Sequence, residues 1–317
     1  MIKISYSPIN NAVLEPYLKC IDYTVSEKEF SILIDKSSEL LVTSPRPKNE
    51  SLGAYYKSEN YISHTDSQQS FFDKIYQFVK RYSIAKKVKL VDSFFDSNSD
   101  EKTVLDIGCG TGDFLLACQE SDYNIFGVEP NEKAKSLAEN KLNNLSVRAS
   151  RLRSRHAPSK TNSSAKNIFS SIEELDSNQQ FDCITLWHVL EHVPNLTEYI
   201  TSLKKLLKPK GILIIAVPNH KSFDAKYYAN FWAAFDLPRH LWHFSKKSIS
   251  LLFEKENMKV TKTIPMKFDS YYVSLLSEKY KTGKSNPLKA FFIGLKSNVK
   301  AKRTKEYSSL IYIIQNS

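Results

Sequence analysis

Hydrophobic positions follow two rhythms along this chain. Beyond residue 100, short apolar runs at Val104–Ile107, Ile125–Val128, Ile168–Phe169, Phe181–Trp187 and Gly211–Val217 alternate with stretches whose apolar residues recur every three to four positions. Those stretches are Asp113–Glu120, Glu132–Leu142 and Leu196–Leu207, and the alternation predicts strands and helices in turn. Strands separated by helices at this spacing make a doubly wound, mostly parallel α/β sheet. Gly211–Val217 is apolar throughout, as a strand covered on both faces must be. Met258–Ile264 and Ser309–Ile314 supply two more strands, for seven in all.

The first hundred residues read differently. Cys20–Ser26 and Phe30–Ile34 alternate like short strands, and Ser44-Pro45-Arg46-Pro47 breaks the chain. Phe71, Phe72, Ile75, Phe78, Val79 and Tyr82 keep helical spacing, with a second helix predicted over Val88–Phe95. The polar run Asp96–Glu101 marks a boundary. The expected organisation is a strand-rich appendage over 1–65, a helical shoulder over 66–100 and a main domain over 101–317. Segments at about 148–166, 219–245 and 268–306 interrupt the main domain.

Composition adds little to this picture. At 317 residues, 41% hydrophobic and 25% charged, the chain can bury a substantial core. Cys20, Cys109, Cys118 and Cys183 are scattered, which excludes a disulfide framework and points to a reducing cytoplasm. No secretory leader is legible at the start, and no window reaches the roughly 18 apolar residues of a membrane span. The net charge of +11 concentrates in Arg148–Arg155 and Lys279–Lys305. Clustered cations invite RNA, but aromatic residues are not interleaved as a stacking platform requires. A solvated surface, or attraction of an acidic substrate, is the favoured reading. The span 148–166 has hardly any apolar anchor and is expected to be a loop.

The loop after the first main-domain strand carries the most chemistry. Gly108, Gly110 and Gly112 fall two apart behind Asp106, with Cys109 between them, and Glu129 closes the second strand ahead of Pro130. Glycine permits a tight turn and a close backbone approach to a ligand. A dinucleotide fingerprint places its third glycine one position later. With Gly127-Val-Glu129-Pro-Asn following, the run Val104-Leu-Asp-Ile-Gly-Cys-Gly-Thr-Gly112 resembles the class I S-adenosylmethionine-dependent methyltransferases, over roughly residues 100–265. The resemblance implies a Rossmann-like methyltransferase fold with S-adenosyl-L-methionine as cofactor. It implies that Asp106 and Gly108–Gly112 lie under the cofactor's methionine portion and that Glu129 accepts both ribose hydroxyls. At the position where many members carry an acid for adenine, this chain has Ser171 beside Ile172; Glu173 and Glu174 are alternatives.

The fourth strand runs into Trp187-His188-Val-Leu-Glu191-His192, a segment that resembles the family's motif beside the reactive sulfur and the acceptor. Trp187 is assigned to the cofactor. His188 is the candidate base, since histidine titrates near neutral pH; hydrogen bonding that only shapes the loop is the other reading. The bare pattern H-x-x-E-H also matches an inverted zinc-protease signature. That signature needs a helix with both histidines on one face, whereas His188 directly follows a strand, so no metal is predicted. Past the fifth strand, Asn219, His220, Arg239, His240 and His243 lie among aromatics, and with His192 they are the candidate acceptor-binding residues. The N-terminal part resembles a zinc ribbon that precedes some of these enzymes, but Asp35 and Ser38 stand where its second pair of cysteines belongs. Tyr55, Tyr56, Tyr61 and His64 are candidates for a lid over the cofactor; an exposed linker is the other reading.

The expectation is therefore methylation of a small-molecule or carbohydrate-like acceptor, at oxygen or nitrogen, by direct displacement. An RNA methyltransferase, an NAD-dependent dehydrogenase and a non-catalytic cofactor-binding protein are the alternatives. Oligomeric state is open.

Overall fold

A computed structural model describes residues 1–56, 71–95, 102–153 and 167–317. In chain order it runs β1 (Glu15–Ile21), β2 (Glu29–Asp35), β3 (Leu40–Thr43), a one-turn helix α1 (Asn49–Leu52) and α2 (Phe71–Asp92). Next come β4 (Thr103–Ile107), α3 (Asp113–Glu120), β5 (Asn124–Val128), α4 (Glu132–Arg153), β6 (Ile168–Phe169) and β7 (Phe181–Trp187). The chain continues through α5 (Leu196–Leu206), β8 (Leu207–Pro218), α6 (Phe223–Tyr228), β9 (Trp242–His243) and α7 (Lys246–Glu254). It closes with β10 (Met258–Met266), α8 (Asp269–Thr282), α9 (Pro287–Thr304) and β11 (Ser309–Asn316).

Seven strands form one sheet in the order β10-β11-β8-β7-β4-β5-β6. β4 pairs in parallel with β5 and β7, and β5 with β6, while β10 and β11 are antiparallel. This is the doubly wound, mostly parallel α/β class that the alternation predicts. No helix among the described residues is long and apolar enough to cross a membrane.

The chain divides into two compact units. One comprises Ser67–Trp187 and Lys205–Leu213. Its centre is β4, where Val104, Leu105 and Ile107 are buried, covered by Phe114, Leu115 and Cys118 of α3. Register sets Asp106 beside Gly127 on β5 and Thr185 on β7. Two helices expected over Phe71–Tyr82 and Val88–Phe95 are one, because no glycine or proline separates them. Likewise α4 runs on to Arg153, into the basic stretch read as a loop from 148. Leucine, alanine and arginine are good helix formers, and the first breaker is Pro158. The rest of that predicted loop, like Tyr61, His64 and the boundary run Asp96–Glu101, lies outside the described residues.

The other unit comprises Met1–Asp66, His188–Lys204 and Ile214–Ser317. The N-terminal strands do not stand alone in it. An antiparallel sheet runs β1-β2-β3-β9, with Val42 opposite Trp242. All four residues of β3 are buried, and a strand so apolar is not stable as a free edge. Phe30, Ile32 and Leu41 share a core with Tyr228, Trp232, Phe235 and Val273, which come from the 219–245 and 268–306 segments. Helix starts follow local chemistry: Ser222 accepts the Ala225 N–H, Ser245 and Ser248 form a capping box, and Asn286 caps α9 ahead of Pro287. Asp35 accepts hydrogen bonds from Ser37 and Ser38, and Cys20 is buried, its thiol pushed up to about 12 by burial.

Candidate active site

In the β4-centred unit the glycine loop folds as a cradle. Gly108, Gly110 and Gly112 all have positive φ, which explains glycine at each. Gly112 is also the N-cap of α3, and a Cβ there would lie 3.0 Å from the Cβ of Ala138. Among the described residues a Cβ built on Gly110 meets no heavy atom within 4 Å, so none of them closes that side of the loop. Gly108 and Cys109 donate their N–H groups to the Val128 carbonyl, which ties the loop to the end of β5.

Glu129 stands across this loop and is 8% exposed. Its Oε2 accepts the Gly110 N–H at 2.8 Å and its Oε1 the Asn131 N–H at 2.9 Å. Each oxygen retains an acceptor site for a ligand hydroxyl. Burial raises the Glu129 carboxyl above its usual range, against the opposing pull of those two backbone bonds. Asp106 is more deeply enclosed. Burial lifts it to about 7 even though the Thr185 hydroxyl donates to it at 2.6 Å and Lys87 favours its charged form.

At the end of β7, Trp187 packs edge-on against Phe114, and the Lys87 ammonium sits 4.2 Å from its ring centroid. Among the described residues its buried indole N–H has no hydrogen-bond partner, an unmet donor at the mouth of the sheet. Ser171 precedes a short turn over Ile172–Glu174; Ile172 is buried, whereas Glu173, Glu174 and Pro130 are exposed.

The second unit holds a cavity of about 960 Å³. Its polar end presents His188, Glu191, His192, Asp236, His240 and Asp269, and its wall includes Tyr272, Val273, Leu276 and Tyr280. His188 has φ of 60°, a left-handed backbone that a non-glycine residue adopts at a cost. That turn aims its ring between two acids: Nδ1 lies 3.3 Å from Oε1 of Glu191 and Nε2 lies 3.1 Å from Oδ2 of Asp269. Burial opposes a charge here, but the bonds to Asp269 and Glu191 outweigh it and raise His188 to about 10. An imidazole held as a cation at neutral pH has no lone pair with which to take a proton, so this geometry does not make His188 the base that its position suggested.

His192 and His240 differ from it. The His192 Nδ1 lies 3.1 Å from the Arg239 carbonyl and 2.9 Å from the Tyr56 hydroxyl. The His240 Nδ1 lies 2.9 Å from the Ala234 carbonyl. A carbonyl can only accept, so both Nδ1 atoms carry hydrogen, and the His240 Nε2 lies 3.9 Å from Oδ2 of Asp236. Burial, then the neighbouring His240, lowers His192 to about 4 and keeps it neutral. Glu191 is 1% exposed, and among the described residues its Oε2 has no hydrogen-bond partner. One donor atom from each of Glu191, His192 and His240 lies within 4.8 Å of the others.

Of the residues expected to bind the acceptor, His192 and His240 line the cavity; Asn219, His220, Arg239 and His243 do not. Arg239 is consumed by a buried ion pair with Asp22 at 3.1 Å and Asp236 at 2.6 Å. Asn219 donates to Glu306 and to the Tyr307 carbonyl, His220 faces the Glu39 carbonyl, and His243 contacts the Thr43 hydroxyl. These four organise the walls. The reading of residues missed Asp269 and Asp236. Asp269 opens α8 without any motif around it, and Asp236 lies three residues ahead of Arg239, the one sign of a pairing.

The sheet and its glycine loop define a Rossmann-like methyltransferase fold. Residues 71–263 match the family described as "Methyltransferase domain", and the chain belongs to that family. A ubiquinone biosynthesis O-methyltransferase of Rickettsia bellii is 28% identical over 134 residues, which is 42% of this chain and 48% of that protein. An enzyme of the same description from Actinobacillus pleuropneumoniae is 31% identical over 128 residues, 37% of this chain and 46% of that one. The chain thus spans about half the length of the curated relatives it matches. Among solved structures, magnesium protoporphyrin IX methyltransferase from Synechocystis PCC 6803 with bound SAH has a TM-score of 0.53 at 14% identity, covering 85% of this chain and all of that one. Geranyl diphosphate C-methyltransferase from Streptomyces coelicolor has a TM-score of 0.50 at 10% identity, covering 80% of this chain and 88% of that one. At such identities these two likenesses establish the fold alone.

Proposed function

We propose that this protein is an S-adenosylmethionine-dependent methyltransferase that methylates an oxygen of a small acceptor. The observation that carries the reading is Glu129, a buried carboxylate tied by Gly110 to a glycine loop whose far side none of the described residues closes. A carboxylate fixed in this way, with one acceptor site left on each oxygen, suits a ribose diol. The unmet Trp187 N–H and the clearance over Gly110 among the described residues are consistent with a ligand that approaches the loop closely. When bound, that cofactor supplies a methyl group on a sulfonium, open to displacement by a nucleophile.

The chain's own residues would do the rest. Glu129 grips the diol, Asp106 offers a negative charge to the cationic ligand, and Trp187 with Phe114 keeps water from the sheet end. Ser171 and Ile172 are the residues assigned to adenine. Asp269, His188 and Glu191 form a fixed chain of hydrogen bonds that would orient a polar group of the acceptor. Alignment of this kind is the main source of rate in a displacement, worth about 7–11 kcal/mol at its best. Tyr272, Val273, Leu276 and Tyr280 favour an acceptor with an aromatic or aliphatic body over a bare sugar. The O-methyltransferase relatives support oxygen as the acceptor atom.

Incubation with S-adenosylmethionine labelled in its methyl group and a panel of phenols, catechols and glycosides tests this. Label on a phenolic or catecholic oxygen, lost in Glu129→Ala, is the expected result. Label on glycosides alone overturns the acceptor class, and no transfer combined with no cofactor binding overturns the reaction.

A further inference from the structure

We infer that Glu191, His192 and His240 bind a divalent transition-metal ion of the zinc class at the polar end of the cavity. Two imidazoles and a carboxylate are a ligand set that zinc accepts, with a fourth position left for water or substrate. Proximity alone would not distinguish this cluster from an ordinary buried hydrogen-bond network, but three further observations do.

The first is the state of the histidines. Each turns its Nδ1–H to a main-chain carbonyl, Arg239 for His192 and Ala234 for His240. A carbonyl on one ring nitrogen fixes the tautomer that presents the other as a bare donor, and metal-ligating histidines are held in this manner. The second is Glu191. Its Oε1 faces His188, yet among the described residues its Oε2 is buried without a partner, an acceptor whose desolvation nothing offsets. A cation beside it would satisfy that oxygen. The third is position: Glu191, His192 and His240 all line one cavity, so a bound ion would have an open side.

Geometry allows the site with little movement. Ligands about 2.1 Å from a tetrahedral zinc are about 3.4 Å apart, and one nitrogen of each ring and one Glu191 oxygen lie within 4.8 Å of one another. A contraction of at most about 1.4 Å closes the set. His188 takes no part, because both its nitrogens are held by carboxylates. The site is therefore not the H-x-x-E-H protease arrangement; its third ligand comes from the segment after β8. The open position would face the cavity and hold an oxygen of the acceptor, lowering that hydroxyl's pKa so that its proton would pass to solvent water. This use of the ion rests on the methyl-transfer reading, whereas binding of the ion does not.

The test is zinc binding to the full chain, stripped with chelator and measured by equilibrium dialysis with elemental analysis. One zinc per chain is expected. His240→Ala should weaken binding at least a hundredfold, and Glu191→Gln at least tenfold, while His220→Ala leaves it unchanged. Cobalt(II) in place of zinc should give the intense visible bands of a four-coordinate site, absent in His240→Ala, which lies outside the β4-centred unit and should keep S-adenosylhomocysteine affinity. A wild-type chain that binds no zinc at tenfold excess, or binds it equally well in His240→Ala and in His220→Ala, overturns the proposal. Absence of zinc with normal S-adenosylhomocysteine binding leaves methyl transfer standing; zinc bound without that affinity does the reverse.

Discussion

His188 and Asp269 lie far apart in the chain, yet Nε2 of the one is 3.1 Å from Oδ2 of the other, in a cavity whose polar end they help to define. The pairing makes His188 a cation at neutral pH. Its value is raised from 6.5 to about 10, so its stabilising contribution is complete below pH 6.5 and is lost as pH rises through 10. Asp269→Asn should bring the His188 titration down toward the ordinary range, as followed by NMR of the ring protons. The stability difference between wild type and variant should be largest below pH 6.5 and vanish beyond 10. An unchanged titration would show that Asp269 does not hold the ring.

Glu129→Gln keeps the side chain's size and removes its charge. A hydrogen bond to a charged group contributes about 1.5–3 kcal/mol, so affinity for S-adenosylhomocysteine should fall roughly 10- to 100-fold. Calorimetric titration reads this directly, and an unaltered affinity would remove Glu129 from the ligand site.

Asp106 gives the site a pH dependence of its own. In the folded chain it keeps its proton to about pH 7, against an ordinary 3.8, so stability falls as pH climbs through that interval. A cationic ligand favours the carboxylate, and binding at pH 6 should therefore release a proton. Titrations in two buffers of different ionisation enthalpy measure that release, which Asp106→Asn should abolish.

Gly112→Ala tests the backbone of the loop. Its φ of 77° and the Ala138 Cβ at 3.0 Å penalise any side chain there. The left-handed conformation alone should cost about 1–2 kcal/mol in chemical denaturation, with a further loss of ligand affinity as the loop shifts. A variant as stable as the wild type would contradict this geometry.

Much of the fold was legible because the βα alternation is strong: β4, β5, β7 and β8, and even the two-residue β6, fall where the apolar runs predict. The glycine loop with Asp106 and Glu129 was legible for the same reason, since strand ends and positive-φ glycines leave local marks. Pairings across distance left none. Nothing local joins Val42 to Trp242, and nothing around Asp269 announces His188 as its partner. Arg239 misled, because a lone arginine among aromatics reads equally well as a substrate clamp and as the counter-ion of Asp22 and Asp236.

That structural role has its own consequence. Arg239 is 1% exposed and Asp22 likewise, so Arg239→Met leaves the buried Asp22 carboxylate without its counter-ion, a loss of about 3–5 kcal/mol in equilibrium unfolding. A much smaller loss would mean that the pair is hydrated and that Arg239 is free to serve the acceptor after all.

The most direct measurement of the central claim is calorimetric titration of the purified chain with S-adenosylhomocysteine, alongside NADH. The account predicts saturable binding of one S-adenosylhomocysteine per chain, weakened in Glu129→Gln, and no heat from NADH. Binding of NADH without S-adenosylhomocysteine would contradict it and make the glycine loop a dinucleotide site.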